Sequence, residues 1–296
     1  MTSAMNLPEL FEKFGSEENC RAYLEELRWP NGVECPRCES DSISRISTRN
    51  QLDCNQCRYR FSATSGTLFH DSHLPLSKWF MAVYLMGESK KGISAKQMER
   101  MLAVSYKTAW YLAHRIRDAM GDDDQPLLRG IVEVDETYVG GKRKGVGRGS
   151  LEGKTMVVGA VQRKGEIRLK VAGSNNRETL HGFIRENVDG DTEAVYTDEW
   201  PAYRGVSDEN TRHETVNHRA EEWVRGDVHT NTVESVWSLF DRAVIGAYHK
   251  LSAKHLPAYL DEVAFRFNNR SNPYLFRDTL LRLVDADSLT YEELTA

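Results

Sequence analysis

The chain has 296 residues, 40% apolar and 28% charged, which is typical of a folded protein large enough for two or three domains. It has no run of about 18 apolar residues and no basic-then-apolar start, so we expect a cytoplasmic protein without membrane contact. The net charge of −5 argues weakly against a nucleic-acid partner. However, residues 43–120 hold 12 Lys and Arg against 5 Asp and Glu, a local charge of +7, which predicts a basic face beside an acidic body.

Residues 1–32 are predicted to form an N-terminal helical segment. The stretch LPELFEKFGSEENCRAYLEELRW (7–29) has helical periodicity, and Ser16 is a plausible start signal for its second helix. We expect Cys20 to be a buried residue of that helix.

Residues 33–66 are predicted to form a small β module of the zinc-ribbon type. CPRC (35–38) and CNQC (54–57) give the spacing C-x2-C-x15-C-x2-C, which is typical of a four-thiolate zinc site. The predicted ligands of a structural Zn²⁺ are Cys35, Cys38, Cys54 and Cys57. Two disulfides or a redox pair are the alternatives, but neither a secretion signal nor a βαβ context supports them. A site closed by four cysteines has no open position for catalysis.

Residues 75–120 are predicted to be helical and to contain a DNA-binding region. ISAKQMERMLAVSYKTAWYLAHRIRDAM (93–120) resembles a helix-turn-helix, with LAVSY as the turn. In this motif the start of the second helix reaches base edges, so Lys107 and Thr108 are candidate base contacts. Arg115 and Arg117 are candidate phosphate contacts later in the helix. A plain helical hairpin with a solvated basic face is the alternative.

After a linker at 121–130, residues 131–285 are predicted to form an α/β core, followed by a C-terminal tail at 286–296. The core is expected to contain a mixed five-stranded sheet flanked by helices. The predicted strands are 131–139, 155–162, 167–172, 194–198 and 213–218. The predicted helices are about 177–187, 231–246 and 253–269.

The first core strand, in IVEVDETYVGG (131–141), has apolar residues on both sides and yet carries Asp135. A buried carboxylate needs a pairing cation or a metal, because burying it alone costs several kcal/mol. Asp198 ends the strand AVYTD, and Glu234 borders the buried stripe of a late helix. These three acids could converge on two Mg²⁺ ions and support phosphoryl transfer. A salt bridge for Asp135, with the other two acids unrelated, is the alternative.

Several motifs in order carry a resemblance to a known family. They are CPRC…CNQC, VDETYVGGK (134–142), VYTDEWPAYR (195–204), HTNTVESVWSLF (229–240) and AYHKLSAKHLPAYLDEVAFRFNNR (247–270). The chain resembles insertion-sequence transposases that join an N-terminal zinc ribbon to a DDE catalytic core of the RNase H-like, integrase-like fold.

The resemblance implies that Asp135, Asp198 and Glu234 are the DDE triad and hold two Mg²⁺ or Mn²⁺ ions. It implies cleavage of double-stranded DNA at the element's terminal repeats and strand transfer of the freed 3′-hydroxyl into target DNA by a homodimer or larger assembly. The basic loop 140–150 and the late helix add candidate DNA contacts, which are Lys142, Arg143, Lys144 and Arg242.

Three further residues of the family motif, His229, Asn231 and Trp237, are expected to support the site or to serve packing and helix capping, with Asn231 suited to an N-cap. One position departs from the family. A basic residue often stands seven positions after the third acid, and here that residue is Asp241, followed by Arg242. This departure leaves open a DNA-binding regulator or a host nuclease derived from such a transposase.

Overall fold

The computed structural model describes residues 5–121, 124–140, 151–207, 211–216 and 224–296. The chain divides into two compact units. The first runs to Met120 and also contains Ser271–Ala296, and the second runs from Gly121 to Arg270. Within the described part of the chain, no helix is both long and apolar enough to cross a membrane.

The first unit is mainly helical. Its helices are α1 (Leu7–Phe14), α2 (Glu17–Arg28), α3 (Leu76–Glu88), α4 (Ala95–Leu102), α5 (Tyr106–Met120), α9 (Leu275–Asp285) and α10 (Tyr291–Thr295). Side-chain oxygens of Asn6, Ser16 and Ser94 accept backbone N–H groups at the starts of α1, α2 and α4, where the helix itself leaves these donors unsatisfied.

The C-terminal residues belong to this helical unit and not to the sheet domain. Helix α9 packs against α2, α3 and α5, and the ring of Phe276 lies 5.7 Å from Phe14 and 5.8 Å from Phe80. The sequence placed residues 131–285 in the core and 286–296 in a tail, whereas the structure moves the division to residue 270. The physical reason is the apolar face of α9, which is buried among helices that lie far away in the sequence.

The cysteine-bearing part of the first unit is a three-stranded antiparallel sheet, as predicted for a zinc ribbon. Its strands are β1 (Ile43–Ile46), β2 (Gln51–Cys54) and β3 (Arg60–Phe61), in the order β1-β2-β3. The apolar residues of this module, led by Leu52 and Phe61, are few. A core of this size stabilises a fold only slightly, so a metal must supply much of the folding free energy.

The second unit is a mixed five-stranded sheet, which confirms the predicted α/β core. Its strands are β4 (Ile131–Val139), β5 (Thr155–Gln162), β6 (Ile167–Ala172), β7 (Ala194–Asp198) and β8 (Arg212–Val216). The order is β6-β5-β4-β7-β8, with antiparallel pairs from β6 to β4 and parallel pairs from β4 to β8. The helices are α6 (Arg177–Asn187), α7 (Asn231–Ala243) and α8 (Leu256–Asn268).

The central strands are covered on both faces, which explains their apolar residues on both sides. Val132 and Val134 of β4 pack with Leu180 and Phe183 of α6 on one face. On the other face, valines of β5 pack with the buried stripes of α7 and α8. Since side chains alternate along a strand, Glu133 and Asp135 point toward the α7 face. The sheet therefore carries two acidic side chains into the layer that α7 occupies.

Candidate active site and metal centre

Asp135 and Asp198 lie on neighbouring parallel strands at the same level. The register pairs Glu133 of β4 with Tyr196 of β7, and the two aspartates stand two residues further along on each strand. Because the side-chain period of a strand is two, both aspartates share the face of Glu133 and Tyr196. Adjacent strands are about 4.8 Å apart, so the fold brings these two carboxyl groups together.

The pKa of Asp135 reflects its burial and the other acids at this end of strands β4 and β7. Burial raises the pKa of Asp135 to about 7, and the charges of Glu136 and then Asp198 add to the increase. The indole N–H of Trp237 opposes the shift by donating to Asp135 Oδ2 at 2.9 Å. Ionising the Asp135 carboxyl in the protein alone therefore costs free energy, and a bound cation would lower that cost.

Glu136 joins this acidic group from the opposite face of β4, and the sequence interpretation missed it. Its Oε2 accepts a hydrogen bond from the hydroxyl of Tyr203 at 2.6 Å. Burial raises the pKa of Glu136, and the charge of Asp198 raises it further. Burial and the Glu136 charge also raise the pKa of Tyr203 well above its usual range, so the phenol stays protonated and donates. The only sequence signal was the position of Glu136 next to Asp135.

Trp237 attaches α7 to the sheet beside Asp135. Asp135 faces Gly159 in the β4–β5 register, and the indole ring lies over that glycine. A Cβ added at Gly159 would stand 2.6 Å from a ring carbon of Trp237, closer than real contacts allow. A glycine at this position therefore makes room for the ring that holds Asp135. The hydrogen bond from its indole N–H to Asp135 is the contact through which Trp237 is expected to support the site.

Glu234 lies on the exposed border of α7, three residues before Trp237. Its Oε1 accepts the hydroxyl of Thr230 at 3.2 Å. Across the described residues, the four cysteines are the only set of three or more His, Cys, Asp or Glu whose ligand atoms all lie within 4.8 Å of one another. The structure therefore brings Asp135 and Asp198 to the same end of neighbouring strands, but Asp135, Asp198 and Glu234 do not form a set at mutual metal-ligand spacing in the protein alone.

Glu133 has a different role from Asp135, although both lie on the same face. It is fully buried, and Arg163 Nε donates to its Oε1 at 2.7 Å. The other carboxylate oxygen accepts the backbone N–H groups of Thr232 at 2.7 Å and Val233 at 3.1 Å, at the start of α7. His229 Nδ1 lies 3.3 Å from Glu133 Oε1. The N-cap of α7 is Thr230, so the suggestion that Asn231 caps the helix is wrong by one residue.

The four cysteines fit a tetrahedral zinc ion. All four Sγ atoms lie within 4.8 Å of one another, with Cys35 3.6 Å from Cys57 and Cys38 3.5 Å from Cys54. A tetrahedron with Zn–S bonds near 2.3 Å requires S···S separations of about 3.8 Å. None of these cysteines forms a disulfide, which removes that alternative. Cys20 is buried in α2 and donates to the carbonyl of Phe14, as a structural helix residue does.

The family follows from comparison with known sequences. The family model of the ISXO2-like transposase domain matches residues 127–268, and that of the transposase zinc-ribbon domain matches residues 15–60. An uncharacterized protein in transposable element ISH50 of Halobacterium salinarum is 32% identical over 266 residues, covering 83% of this chain and 89% of that protein. The chain belongs to the ISXO2-like transposases of insertion sequences. The family predicted from the motifs is confirmed.

Remote similarity to two solved structures accompanies this result. One is a simian T-cell lymphotropic virus intasome in complex with a PP2A regulatory subunit, at 14% identity and a TM-score of 0.30, covering 64% of this chain and 69% of that chain. The other is the Mos1 strand transfer complex, at 14% identity and a TM-score of 0.28, covering 70% and 75%. These scores are too low to add to the family assignment.

The candidate DNA contacts of this transposase fall into three groups. Lys107 is exposed at the start of α5, with its amino group 4.2 Å from the ring centroid of Tyr291. Thr108 is partly exposed, and its hydroxyl pairs with that of Ser105 at 2.9 Å. Arg242 is exposed on α7 and donates to Ser238. The second group, Lys142, Arg143 and Lys144, lies outside the described residues.

The third group is a correction, because Arg115 and Arg117 are buried and not available to phosphates. Their exposed fractions are 4% and 2%. The Arg115 guanidinium donates to the carbonyl of His70 at 2.6 Å and lies over the rings of Trp79 and Tyr111. An arginine has a long apolar stem and a flat head that stacks on aromatic rings, so a basic residue on a helix can belong to its packed face.

Proposed function

We propose that this chain cuts DNA at the ends of its element and joins the freed 3′-hydroxyl groups to target DNA in a reaction that depends on divalent metal ions. The observation that supports this proposal is the pair Asp135 and Asp198, which stand at one level on adjacent parallel strands. Helix α7, which carries Glu234, is attached to the same place through Trp237. Two strand acids and one helix acid are the donor set expected for such chemistry.

The chemistry of the donors fits hard divalent ions. Carboxylate oxygens are the ligands that Mg²⁺ prefers, and the raised pKa of Asp135 reflects negative charge that a cation would neutralise. Bound there, the ions would lower the pKa of the attacking water or hydroxyl and stabilise the leaving oxygen. Glu234 would complete the set by a rotation of its exposed side chain, because the three acids do not all lie within ligand spacing of one another in the protein alone.

The protein's own groups orient the acids. Trp237 Nε1 fixes Asp135 Oδ2 at 2.9 Å, and the backbone N–H of Trp200 fixes Asp198 Oδ1 at 2.9 Å. Each aspartate therefore has one oxygen held by an N–H donor, which sets the direction of the whole carboxylate. Exposed Lys107 and Arg242 are proposed to contact DNA, and the four-cysteine site is proposed to hold a structural Zn²⁺.

A DNA-binding regulator without chemistry is a second candidate, and Asp241 is the observation that favours it. This acid is exposed on α7, seven residues after Glu234 and so nearly two turns along the same side. A carboxylate there would repel the DNA backbone. Neighbouring Arg242, also exposed, offsets that charge, and the acid triad itself is intact, so the enzyme is the stronger candidate.

The test is strand transfer with purified full-length chain. A labelled DNA end that carries the flank of its own element is incubated with target DNA and Mg²⁺ or Mn²⁺, and joined products are resolved on a gel. We expect joining by the wild type, none by Asp198→Ala, and wild-type joining by Glu186→Gln, which removes an exposed acid on α6. Binding without cutting would support the regulator, and cutting without joining would support a nuclease.

A further inference from the structure

The start of α7 is held by a residue from another part of the chain. In most helices the side chain of the N-cap residue accepts the N–H of the second or third helical residue. Here the N-cap is Thr230, whose side chain does not cap the helix but donates to Glu234. The first turn of α7 is instead capped by Glu133 of β4.

The contacts of Glu133 are those of a strong cap. Oε2 accepts from Thr232 N at 2.7 Å and from Val233 N at 3.1 Å, and Oε1 accepts the Thr232 hydroxyl at 2.8 Å. Bonds from N–H groups to an ionised carboxylate are stronger than neutral ones, and negative charge is stabilised at a helix N-terminus. The next residue along the helix is Glu234.

Arg163 extends this clamp to the segment that leads into α7. Its Nε donates to Glu133, while its two terminal nitrogens donate to the carbonyls of Asp227 at 2.8 Å and His229 at 3.1 Å. The guanidinium also lies 4.9 Å from the ring centroid of Tyr196 on β7. One arginine thus ties strands β4 and β7 to the entry of the helix.

Helix α7 is consequently attached to β4 at two points on one strand face. Glu133 holds its first turn, and Asp135 accepts the Trp237 indole N–H one turn later. Glu234 lies between these points. Two polar attachments along one strand, added to the packing of the apolar stripe of α7, restrict both the distance of the helix from the sheet and its rotation about its own axis.

We propose that Glu133, together with Arg163, is a positioning residue that sets the direction of Glu234 relative to Asp135. This inference rests on the proposed function, because it takes Glu234 as a metal ligand. Glu133 itself binds no metal, since N–H groups, a hydroxyl and a guanidinium occupy both of its oxygens. A largely buried ion pair adds little net stability compared with apolar packing, which is consistent with a role in orientation.

The experiment compares Glu133→Gln with a matched variant that breaks another buried pair. Glu262→Gln serves as the control, because Glu262 is also fully buried and pairs with Arg266 four residues later, away from the first turn of α7. Amide hydrogen exchange, strand-transfer rate and its dependence on Mg²⁺ concentration are measured below the unfolding temperature of both variants. Arg163→Lys is a second test that keeps the charge but replaces the three separate donor nitrogens of the guanidinium with one.

We expect Glu133→Gln to lower the strand-transfer rate about 10- to 100-fold and to raise the Mg²⁺ concentration needed for half-maximal rate. The amides of Thr232 and Val233 should exchange faster in this variant. Glu262→Gln should lower the melting temperature and change neither quantity. A wild-type Mg²⁺ dependence in both Glu133→Gln and Arg163→Lys, or an equal effect of Glu262→Gln, would overturn the inference.

If the proposed catalytic function is wrong, the same measurements give a different pattern of results. If Glu234→Gln joined DNA at the wild-type rate, Glu234 would not be a ligand and the proposed function would fail for that residue. The exchange of the Thr232 and Val233 amides reports on the anchoring alone. Slow exchange in Glu133→Gln would refute the clamp even if Glu234→Gln were inactive.

Discussion

Replacing Asp135 with Asn should stabilise the protein at high pH in the absence of divalent ions. The carboxyl group has a pKa of about 7 in the folded protein, against an ordinary value of 3.8. Since the folded-state pKa is the higher one, ionisation opposes folding. The cost is absent below about pH 4 and complete above about pH 7.

The magnitude follows from the shift. One pKa unit corresponds to about 1.4 kcal/mol, so the ionised carboxylate costs about 4 kcal/mol at pH 8. At pH 5 the folded carboxyl is already protonated, and the cost is about 1.5 kcal/mol. The advantage of Asp135→Asn should therefore grow by about 2.5 kcal/mol between these two pH values. Any constant effect of the amide on the Trp237 bond cancels in that difference.

The assay is urea unfolding of the full-length chain at pH 5 and pH 8, followed by circular dichroism, without added Mg²⁺ or Mn²⁺. A chelator is avoided because it would also remove metal from the cysteines. Glu186→Gln controls for the loss of one exposed charge. An advantage of Asp135→Asn that is the same at both pH values would refute the electrostatic reasoning. Saturating Mg²⁺ should then stabilise the wild type, by about 2.7 kcal/mol at 100 times its Kd, and not the variant.

Three further predictions concern packing, DNA binding and the metal. Gly159→Ala should destabilise the protein by about 1–3 kcal/mol in urea unfolding, because the new Cβ would strike the indole ring of Trp237. Gly182→Ala on α6 is the control and should be neutral or stabilising, because a Cβ there meets nothing within 4 Å. Lys107→Ala should weaken DNA binding and reduce the slope of log affinity against log salt by about 1 in a fluorescence titration, while Arg115→Ala should lower the melting temperature and leave that slope unchanged. Cys38→Ser should reduce the zinc content, which we expect to be one ion per chain by elemental analysis, and unfold the ribbon.

Each of these has a contradicting outcome. Equal stability of the two glycine variants would show that the ring moves aside freely. An Arg115→Ala variant with normal stability and a reduced salt slope would return that arginine to the DNA-contact group. A Cys38→Ser chain that kept full zinc and a normal fold would show that the metal is bound elsewhere.

Local patterns in the sequence were sufficient for the elements and for the cysteine site. Short runs of apolar and β-branched residues predicted the five strands. Apolar residues on both sides of the first run predicted that this strand is covered on both faces of the sheet. The cysteine spacing predicted a four-sulfur cluster because two tight turns can present all four sulfurs to one ion. The convergence of Asp135 and Asp198 was a hypothesis from their places on two strands and from the family resemblance, and the parallel pairing that brings them to one level came only from the structure.

Tertiary structure alone decided the partners of the buried charges. Glu133 caps a helix about 100 residues later in the chain, and Glu136 accepts a hydrogen bond from the hydroxyl of Tyr203. Arg115 lies in the packed face of α5, although a basic residue at that position equally suits a solvent-facing side. Periodicity reports which residues are apolar, but the stabilisation of a buried charge depends on donors brought close by the fold. That information resides in long-range contacts, which no local stretch of the chain contains.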